Sequence, residues 1–453
     1  MRQLKAPLMN YVQEELLIKQ QEEMTELKFN LNYTKDNAGT YVKVPFDMPE
    51  GTERIEVDYD YHRFNEETHE KGSCRREVNI IDLGIYDEKE NLFGWSGSNQ
   101  KSIFISSISA SPGYHHGILN NGKWFIALGL YKIESTIDVM INIRLFQREK
   151  KLYRGDLHIH TVNSDGSYTT NFVITSSQAA GLDFIALTDH NNTKQNSEIG
   201  NPDKISVIPG VEFTNYKGHA NFYFPDRNIK FEGDFLSNNF EEVCCLFKHA
   251  KESGAIISIN HPVSDYPWDF GFKGLPFDLI EVWNGPMREH NMQSIALWHE
   301  MLKDGRKISA VGGSDLHRNS ASGTFANPCT MIYSDSPNPQ ALLSGLLAGR
   351  ACVSYEPGGP YFEFDIDGSG MGDTVLYKDG LHGKVIINSI KKGDVVKIIN
   401  CEGVSDTFTA SFNGQYIHTF KIEDCTFYRI ELYRKLLDEP VLCALSNPVY
   451  ITA

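Results

Sequence analysis

The residues of this chain best suited to chemistry are six histidines that stand in short motifs between residues 158 and 317. The first two belong to the run Asp156-Leu157-His158-Ile159-His160. Successive side chains of a strand point to opposite faces, so His158 and His160 share a face and can bind one metal ion together. The later motifs are Thr188-Asp189-His190, Gly210-Val211-Glu212, Gly218-His219, Asn260-His261-Pro262 and Ser314-Asp315-Leu316-His317.

The segments that must position these motifs alternate between apolar strands and helical stretches from Arg154 onward. Nearly every motif stands at or just after the end of a short apolar run. The alternation predicts a parallel sheet, either open or closed into a barrel, and barrel enzymes keep their chemistry at the C-terminal ends of the strands. The predicted strands are 183–188, 205–209, 255–260, 279–283 and 308–312, and the predicted helices are 172–180, 240–253, 287–304 and 339–348.

Strand-rich sequence flanks this central region on both sides. Before residue 150, about seven short segments of alternating polarity, separated by turn residues, predict a β-sandwich or jelly roll. A short helix is predicted ahead of it, over 11–26. After about residue 360 the strand pattern returns. A chain of 453 residues is too long for one small core,. We therefore expect three domains, over 1–150, 151–357 and 358–453, in a multidomain α/β plus β fold.

Composition excludes several functions and leaves hydrolysis open. The formal net charge of −16 disfavours a surface that binds duplex nucleic acid, which needs clustered cations,. The sequence has no apolar run long enough for a membrane span or a signal peptide, so we expect a cytoplasmic protein. The eight cysteines are scattered and form no C-x-x-C pair, which favours free thiols over a disulfide framework,.

The order of the histidine motifs resembles that of the polymerase and histidinol phosphatase (PHP) superfamily of metallohydrolases, over roughly residues 154 to 350. The resemblance implies a distorted (βα)7 barrel that binds three metal ions. A first metal ion would be bound by His158, His160, Glu212 and Asp315, a second by Glu212, His219 and His261, and a third by Asp165, His190 and His317.

The N-terminal region carries a narrower resemblance. Gly94-Trp95-Ser96-Gly97 and the stretch 110–133 are similar to the β-sandwich that precedes the PHP domain in the CehA/McbA branch. That branch is named after hydrolases of an aryl carbamate ester, so the resemblance implies an ester hydrolase as one possible activity.

The implied chemistry is hydrolysis by water that metal ions activate. Two or three divalent ions about 4 Å apart turn a bound water into a nucleophilic hydroxide near neutral pH and neutralise charge on phosphoryl or carbonyl oxygens. We expect Glu212 and Asp315 to hold the ions that share the nucleophile, and either His317 or the third metal ion to assist the leaving group. Asp189 is expected to orient a ligand histidine through its other ring nitrogen. Nitrogen and oxygen ligands without a thiolate suit Mn²⁺, Fe²⁺ or Zn²⁺, and the sequence does not choose among them.

Three functions compete at this stage. The first is a phosphoesterase acting on a small phosphorylated compound or a short nucleotide, with Arg288 and Arg318 as candidate phosphate ligands. The second is a carboxyl or carbamate aryl ester hydrolase, for which the aromatic insert 265–276 would line an apolar pocket. The third is a binding module that retains metal without turnover. The absence of a G-x-S-x-G motif argues against a serine esterase,.

Overall fold

The structure is a computed structural model that describes residues 24–69, 72–200, 202, 204–319 and 324–452. The chain divides into two compact units, Met1–Glu149 and Lys150–Ala453. The helix predicted over 11–26 lies outside the described residues as far as residue 23, and Met24 already belongs to a strand. The domain boundary predicted after residue 357 stays a prediction.

The first unit consists of strands arranged in two four-stranded antiparallel sheets and a separate hairpin. One sheet has the order β1-β10-β3-β8, the other β2-β9-β6-β7, and β4 pairs with β5. The strands are β1 Met24–Tyr33, β2 Thr40–Met48, β3 Thr52–Tyr61, β4 Phe64–His69, β5 Gly72–Glu77, β6 Asn79–Tyr86, β7 Leu92–Ser96, β8 Ser102–Ser106, β9 Gly122–Ile133 and β10 Ile137–Gln147. A 3-10 turn at Lys35–Asn37 connects β1 to β2.

Alternating apolar residues form the core of the first unit. Ile55 and Ile141 of one sheet pack with Phe46, Ile81 and Trp124 of the other in a single buried cluster. Because strand side chains alternate between faces, the opposite face of each sheet is left to solvent. The strand-rich N-terminal sequence thus folds as two sheets packed face to face.

The second unit contains nineteen further strands within its described residues. The first nine are β11 Lys151–Ile159, β12 Phe184–Leu187, β13 Ser206–Asn215, β14 Gly218–Tyr223, β15 Ile256–Asn260, β16 Leu279–Asn284, β17 Ser309–Gly313, β18 Cys329–Ser334 and β19 Ala351–Ser354. The remaining ten are β20 Tyr361–Ile366, β21 Ser369–Gly370, β22 Thr374–Leu376, β23 His382–Ile390, β24 Val395–Asn400, β25 Gly403–Thr409, β26 Gly414–Lys421, β27 Phe427–Leu436, β28 Glu439–Ser446 and β29 Val449–Thr452.

Strands β11 to β17 stand side by side in chain order and carry the histidine motifs. They pair in parallel except β14, which is antiparallel to both β13 and β15. The two ends of the row meet. The backbone N–H of His160 donates to the carbonyl of Leu316 (3.0 Å). The buried carboxylate of Asp156 also accepts the backbone N–H groups of Ser314 (2.9 Å) and Ala326 (2.8 Å).

Four α-helices occur in the described residues, each close to a helix predicted from the sequence. They are α1 Thr170–Ala179, α2 Phe240–Glu252, α3 Glu289–Lys303 and α4 Pro339–Leu347, with a 3-10 turn at Lys194–Glu198. Side-chain caps explain where three of them begin. Thr169 accepts the N–H of Phe172, Asn239 that of Glu242, and Asn338 that of Ala341,.

The described residues are nevertheless rich in strands and contain few helices. The α/β description predicted from the sequence therefore overestimates the share of helix. One cause is the β13–β14 hairpin. Asn215 pairs with Gly218, which leaves only Tyr216 and Lys217 for the connection. A turn of that length joins antiparallel strands, whereas a parallel crossover needs a dozen or more residues and usually a helix.

The strands after residue 360 do not form an isolated sheet. β20, β21, β23 and β26 make a four-stranded sheet of their own. By contrast, β28 pairs with β19, and β27, β24 and β25 follow it, so these strands extend the sheet that contains β11.

Cys401 and Cys425 form a disulfide, with Cα atoms 6.0 Å apart. The expectation of free thiols is therefore wrong for these two residues. They flank neighbouring antiparallel strands, because Asn400 of β24 pairs with Tyr428 of β27. The free cysteines among the described side chains are Cys244, Cys245, Cys329, Cys352 and Cys443.

None of the described helices combines the length and the apolar character needed to span a bilayer.

Candidate metal centre

The histidine and carboxylate motifs converge at one edge of the β11–β17 row. His160 directly follows β11, His190 follows β12, and His261 directly follows β15. Asp315 and His317 follow β17 in the same way. Parallel strands end at the same edge of a sheet, so residues far apart in sequence arrive together.

His219 reaches the same edge from the opposite strand direction. It stands near the beginning of β14, where it pairs with Thr214 of β13 and Asn260 of β15. Because β14 is antiparallel to its neighbours, its beginning lies beside their ends. Glu212, near the end of β13, completes the arrangement.

Glu212 is the centre of the cluster. Its buried carboxylate oxygens lie within 3.8 Å of ring nitrogens of five histidines. The shortest N–O distances are 2.8 Å to His190 Nδ1 and 3.1 Å to His158 Nε2. A carboxylate surrounded in this way can serve as a shared ligand.

Asp315 and Asp165 bring two further carboxylates. Asp315 Oδ1 lies 3.0 Å from His160 Nε2. Asp165, whose side chain is 60% exposed, lies 3.2 Å from His317 Nε2 and 3.4 Å from His190 Nε2. The cluster therefore extends from a buried centre toward solvent on the Asp165 side.

Three overlapping groups of side chains could each hold one metal ion, because in each group one ligand atom per residue lies within 4.8 Å of all the others. The groups are His158, His160 and Glu212; Glu212, His219 and His261; and His160, Asp165, His190 and His317. Together with Asp315, they contain all nine ligands that the sequence predicts. The ligand roles themselves stay predictions.

Hydrogen bonding supports a metal at the buried centre. His158 Nε2, His160 Nε2 and Glu212 Oε2 are buried and lie 2.8–3.1 Å from groups that can carry the opposite charge, but none of them has hydrogen-bond geometry with the described residues. His160 Nδ1 is also buried without a hydrogen bond there. Leaving buried polar atoms unsatisfied costs roughly 1–3 kcal/mol each. A divalent cation would satisfy nitrogen and oxygen donors of this kind, so the residues present fit such an ion.

The ring nitrogens that face away from the centre have their own partners. His158 Nδ1 lies 3.0 Å from Glu281 Oε1, and His261 Nδ1 lies 3.2 Å from Ser264 Oγ. His317 Nδ1 lies 2.9 Å from the carbonyl of Asp315. Such contacts select the ring tautomer and leave the other nitrogen, Nε2, for a metal.

Glu281 is a functional candidate that the sequence analysis missed. It is buried on β16, and besides His158 it accepts the N–H of His261 (3.1 Å) and Nδ2 of Asn284 (3.0 Å). A signal was present, because Glu281 is a charged residue inside the apolar run Leu279-Ile280-Glu281-Val282-Trp283. Asn260 was also missed, and its Nδ2 donates to Glu212 Oε1 (2.8 Å).

The role predicted for Asp189, orienting a ligand histidine, stays a prediction. Its carboxylate forms no hydrogen bond with a histidine ring among the described residues. It accepts the backbone N–H of Thr161 (2.8 Å) and the hydroxyl of Ser164 (2.7 Å). Asp189 thus holds the loop that begins after His160 and carries Asp165.

Charge pairing sets the protonation of the metal-free centre. Burial alone would raise the pKa of Glu212, but His158, with His190 and His219, outweighs it and holds that pKa well below its usual range. Burial likewise opposes ionisation of Asp315, yet His158 and His160 lower its pKa well below the ordinary value. Both carboxylates are therefore ionised at neutral pH.

His158 is the counterpart of these carboxylates. Burial favours the neutral ring, but the charges of Asp315, Glu212 and Glu281 outweigh burial and raise the pKa of His158 well above its ordinary value. The metal-free centre therefore holds a proton on His158 at neutral pH.

Metal uptake is expected to release protons at neutral pH. A metal binds neutral imidazole, so the proton on His158 must leave. Affinity for Mn²⁺ or Zn²⁺ should rise with pH above about 6.5, until pH passes the raised pKa of His158. Calorimetric titration in two buffers of different ionisation enthalpy measures the proton count. The H249A variant, which changes an exposed histidine of α2, should give the same count, and equal heats in both buffers would contradict the expectation.

Backbone geometry is unusual at two of the predicted ligands. His261 and Asp315 have φ values of 27° and 52°, in the left-handed region that side chains with a Cβ seldom adopt,. Each lies just past the end of a strand, where the chain turns and aims the side chain at the centre. Such conformations cluster at functional sites.

The residues predicted to bind substrate lie on the surface. Arg288, just before α3, and Arg318, just after His317, are both exposed, and their role in binding stays a prediction. The aromatic insert 265–276 lies partly at the site, because the exposed ring of Tyr266 stacks on the ring of His219 with centroids 6.0 Å apart. Its role as the wall of an apolar pocket stays a prediction. Trp268 is buried in the cluster that includes Phe247, and its indole N–H donates to the carbonyl of Gly271.

Comparison with known proteins finds similar chains among solved structures. No protein-family model matches it. No curated protein matches it either. One similar structure is a two-domain protein from Bacteroides vulgatus containing a predicted PHP-like metal-dependent phosphoesterase, at 17% identity and a TM-score of 0.40, over 66% of this chain and 95% of that one. Another is an amidohydrolase from Chromobacterium violaceum with bound sulfate and no metal. It has 17% sequence identity and a TM-score of 0.31, over 43% of this chain and 96% of that one.

Proposed function

We propose that this protein is a metal-dependent hydrolase, and that its substrate is a phosphate ester of a small molecule or a short nucleotide. The observation that carries the proposal is that Glu212 belongs to two of the three adjoining histidine and carboxylate groups. Residues that hold a single structural ion need no shared ligand. A carboxylate has two oxygens and can bring two ions close together, as in the two-metal sites of phosphatases and nucleases.

The ions supply Lewis acidity when bound, which lowers the pKa of water and neutralises charge on phosphoryl oxygens. The chain's own residues prepare the site for them. Glu212 and Asp315 remain ionised and supply two negatively charged ligands. The assistance to the leaving group that the sequence predicts for His317 stays a prediction, because its Nε2 lies 3.2 Å from Asp165 within the group that could hold a further ion.

The phosphate ester is favoured over the aryl ester by the surroundings of the centre. Of the insert that would bind an aryl group, Trp268 packs into the core and Tyr266 stacks on His219. Arg288 and Arg318 follow β16 and β17 with exposed side chains. Guanidinium groups bind phosphate through paired hydrogen bonds. The carboxyl or carbamate ester hydrolase, which the resemblance to the CehA/McbA branch suggests, stays the second candidate.

We also infer that β11 to β17 close into a distorted seven-stranded barrel of the PHP type. Ile159 bridges Leu316 in parallel, beside the hydrogen bond between His160 and Leu316. Closure would explain why residues 158 and 317 share one site. We propose Mn²⁺, Fe²⁺ or Zn²⁺ as the ions.

A parallel assay of p-nitrophenyl phosphate, bis-p-nitrophenyl phosphate and p-nitrophenyl acetate tests the substrate class. The protein should be loaded in turn with Mn²⁺, Fe²⁺ and Zn²⁺. We expect one of the two phosphate esters to be hydrolysed fastest. Preference for the acetate would favour the ester hydrolase, and metal binding without turnover of any substrate would favour a binding module. The R318A variant should raise KM for the phosphate ester that is hydrolysed fastest. R306A, which changes a residue outside the site, should leave that KM unchanged.

A further inference from the structure

The N-terminal unit carries a group of aromatic side chains that its core does not use. Trp95 belongs to the sequence Gly94-Trp95-Ser96-Gly97 in β7, and it is absent from the buried cluster between the two sheets. Its ring lies on the solvent side of the β2-β9-β6-β7 sheet, opposite Gly84 of β6.

Two glycines make room for the Trp95 indole. A Cβ at Gly84 would lie 2.2 Å from Cε3 of Trp95, and a Cβ at Gly129 would lie 3.0 Å from its Cζ2. Neither glycine is among those with a positive φ, so the chain needs them for space and not for conformation. Glycine within a strand weakens the strand, and it often marks a close approach of a ligand or another group. The sheet thus gives up two side chains so that one indole can lie flat on its solvent face.

Two tyrosines extend this surface. Tyr41 of β2 pairs with Gly129, and its ring centre lies 5.8 Å from that of Trp95 at an angle of 66°. Tyr131 stands two residues after Gly129 on the same face. The side chains of Tyr41 and Tyr131 are 79% and 73% exposed. We call Trp95, Tyr41 and Tyr131 the aromatic platform.

Polar groups border the aromatic platform. Asp82 pairs with Gly129, and its Oδ1 accepts the backbone N–H of Ser98 (3.0 Å). Its Oδ2 has no hydrogen-bond partner within the described residues. The indole N–H of Trp95 likewise donates no hydrogen bond within the described residues, and it is not fully buried. One acceptor and one donor therefore remain available beside a flat apolar surface.

We propose that the aromatic platform binds a pyranose ring of a neutral carbohydrate. The C–H groups on one face of a pyranose are apolar and pack on flat aromatic rings, while its hydroxyl groups need donors and acceptors at the edge. The Trp95 indole supplies the flat surface, and Tyr41, inclined to it by 66°, flanks it. Asp82 and the indole N–H supply the polar edge. The Asp82 carboxylate repels phosphate, which disfavours a nucleotide ligand.

A protein partner fits this surface less well. A stable interface buries about 800 Å² on each partner around an apolar centre with few charges. The charged residues Lys43, Asp47 and Lys123 are exposed on the neighbouring strands β2 and β9. Lys43 is already paired with Glu90 (2.8 Å) and lies over the ring of Tyr86. Charged side chains therefore interrupt the apolar part of this face, because Lys43 also lies over the ring of Phe125.

Affinity electrophoresis of the full chain tests the proposal. Native gels containing hydroxyethylcellulose, xylan, galactomannan or laminarin serve as probes, with EDTA present so that metal plays no part. We expect at least one polysaccharide to retard the protein. The W95A variant and the Y41A/Y131A variant should each weaken binding about tenfold or more. The exposed tyrosines are solvent-facing, so the double variant tests binding even if W95A fails to fold.

Two controls separate this site from the rest of the molecule. The Y216A variant removes a tyrosine that is 96% exposed in the second unit, and it should bind as the unchanged protein does. The H249A/H290A variant changes two exposed histidines of the second unit and should also bind normally. Retardation by none of the four polysaccharides would overturn the proposal, as would normal binding by both platform variants. A dimer that Y41A/Y131A abolishes, without retardation in any gel, would instead assign the face to a protein partner.

Discussion

Replacing His158 and His160 together with alanine is expected to abolish metal binding and hydrolysis. Both imidazoles are fully buried, and both lie within 3.5 Å of Glu212 and of Asp315. Their loss removes two of three ligands from one group and one of four from another. Metal analysis by plasma emission spectrometry and an assay with the best substrate measure the two effects.

Folding must be separated from metal binding in this experiment. Removing the imidazoles leaves Glu212 and Glu281 buried without their main partners, which destabilises the protein by itself. The H158N/H160N variant keeps polar side chains in the same places and should stay folded by circular dichroism while still losing metal. The H249A/H290A variant, with both changes outside the cluster, should behave as the unchanged protein does. Full activity in the folded asparagine variant would refute the proposed function.

Glu281→Gln is expected to lower metal affinity by about 10- to 100-fold while the protein stays folded. Glutamine keeps an oxygen that can accept the N–H of His261, but it has no charge to hold the His158 ring with Nε2 toward the centre. Glu281 acts through the His158 ring and not on a substrate, so it is a positioning residue. Its effect should appear first as a loss of affinity, and activity should return when the metal concentration is raised.

A merely structural role for Glu281 would give a different result. It would lower the melting temperature of the metal-free protein without changing its affinity for metal. Competition titration with a chelating dye measures affinity directly, and thermal unfolding in EDTA measures stability. The E300Q variant, at an exposed position of α3, is the matched control. Affinity of E281Q equal to that of E300Q would show that Glu281 does not position His158.

Much of the candidate site could be predicted because its residues stand in a recognisable local context. His160, His190 and His261 each come directly after an apolar run, and strands that run in parallel must end at one edge. The helices were predictable for a similar reason, since polar caps such as Asn239 and Asn338 mark where they begin.

Other features depend on pairing between distant segments. The position of Glu281 beside His158 follows from the register of β16 against its neighbours, and no local pattern states that register. The Cys401–Cys425 disulfide follows from the pairing of β24 with β27. The burial of Trp268 likewise follows from packing on α2, although its sequence suggested a pocket wall.

The sequence by itself singled out the six histidines, because residue type and strand periodicity are local properties. The resemblance to the PHP superfamily added Asp165, Glu212 and Asp315 as expected ligands. Only the tertiary structure decided how they are shared, with Glu212 surrounded by five imidazoles and Glu281 behind His158. Sharing is a matter of distances between strands far apart in the chain. The same holds for Trp95, whose place on the solvent face depends on two glycines in other strands that leave room for its ring.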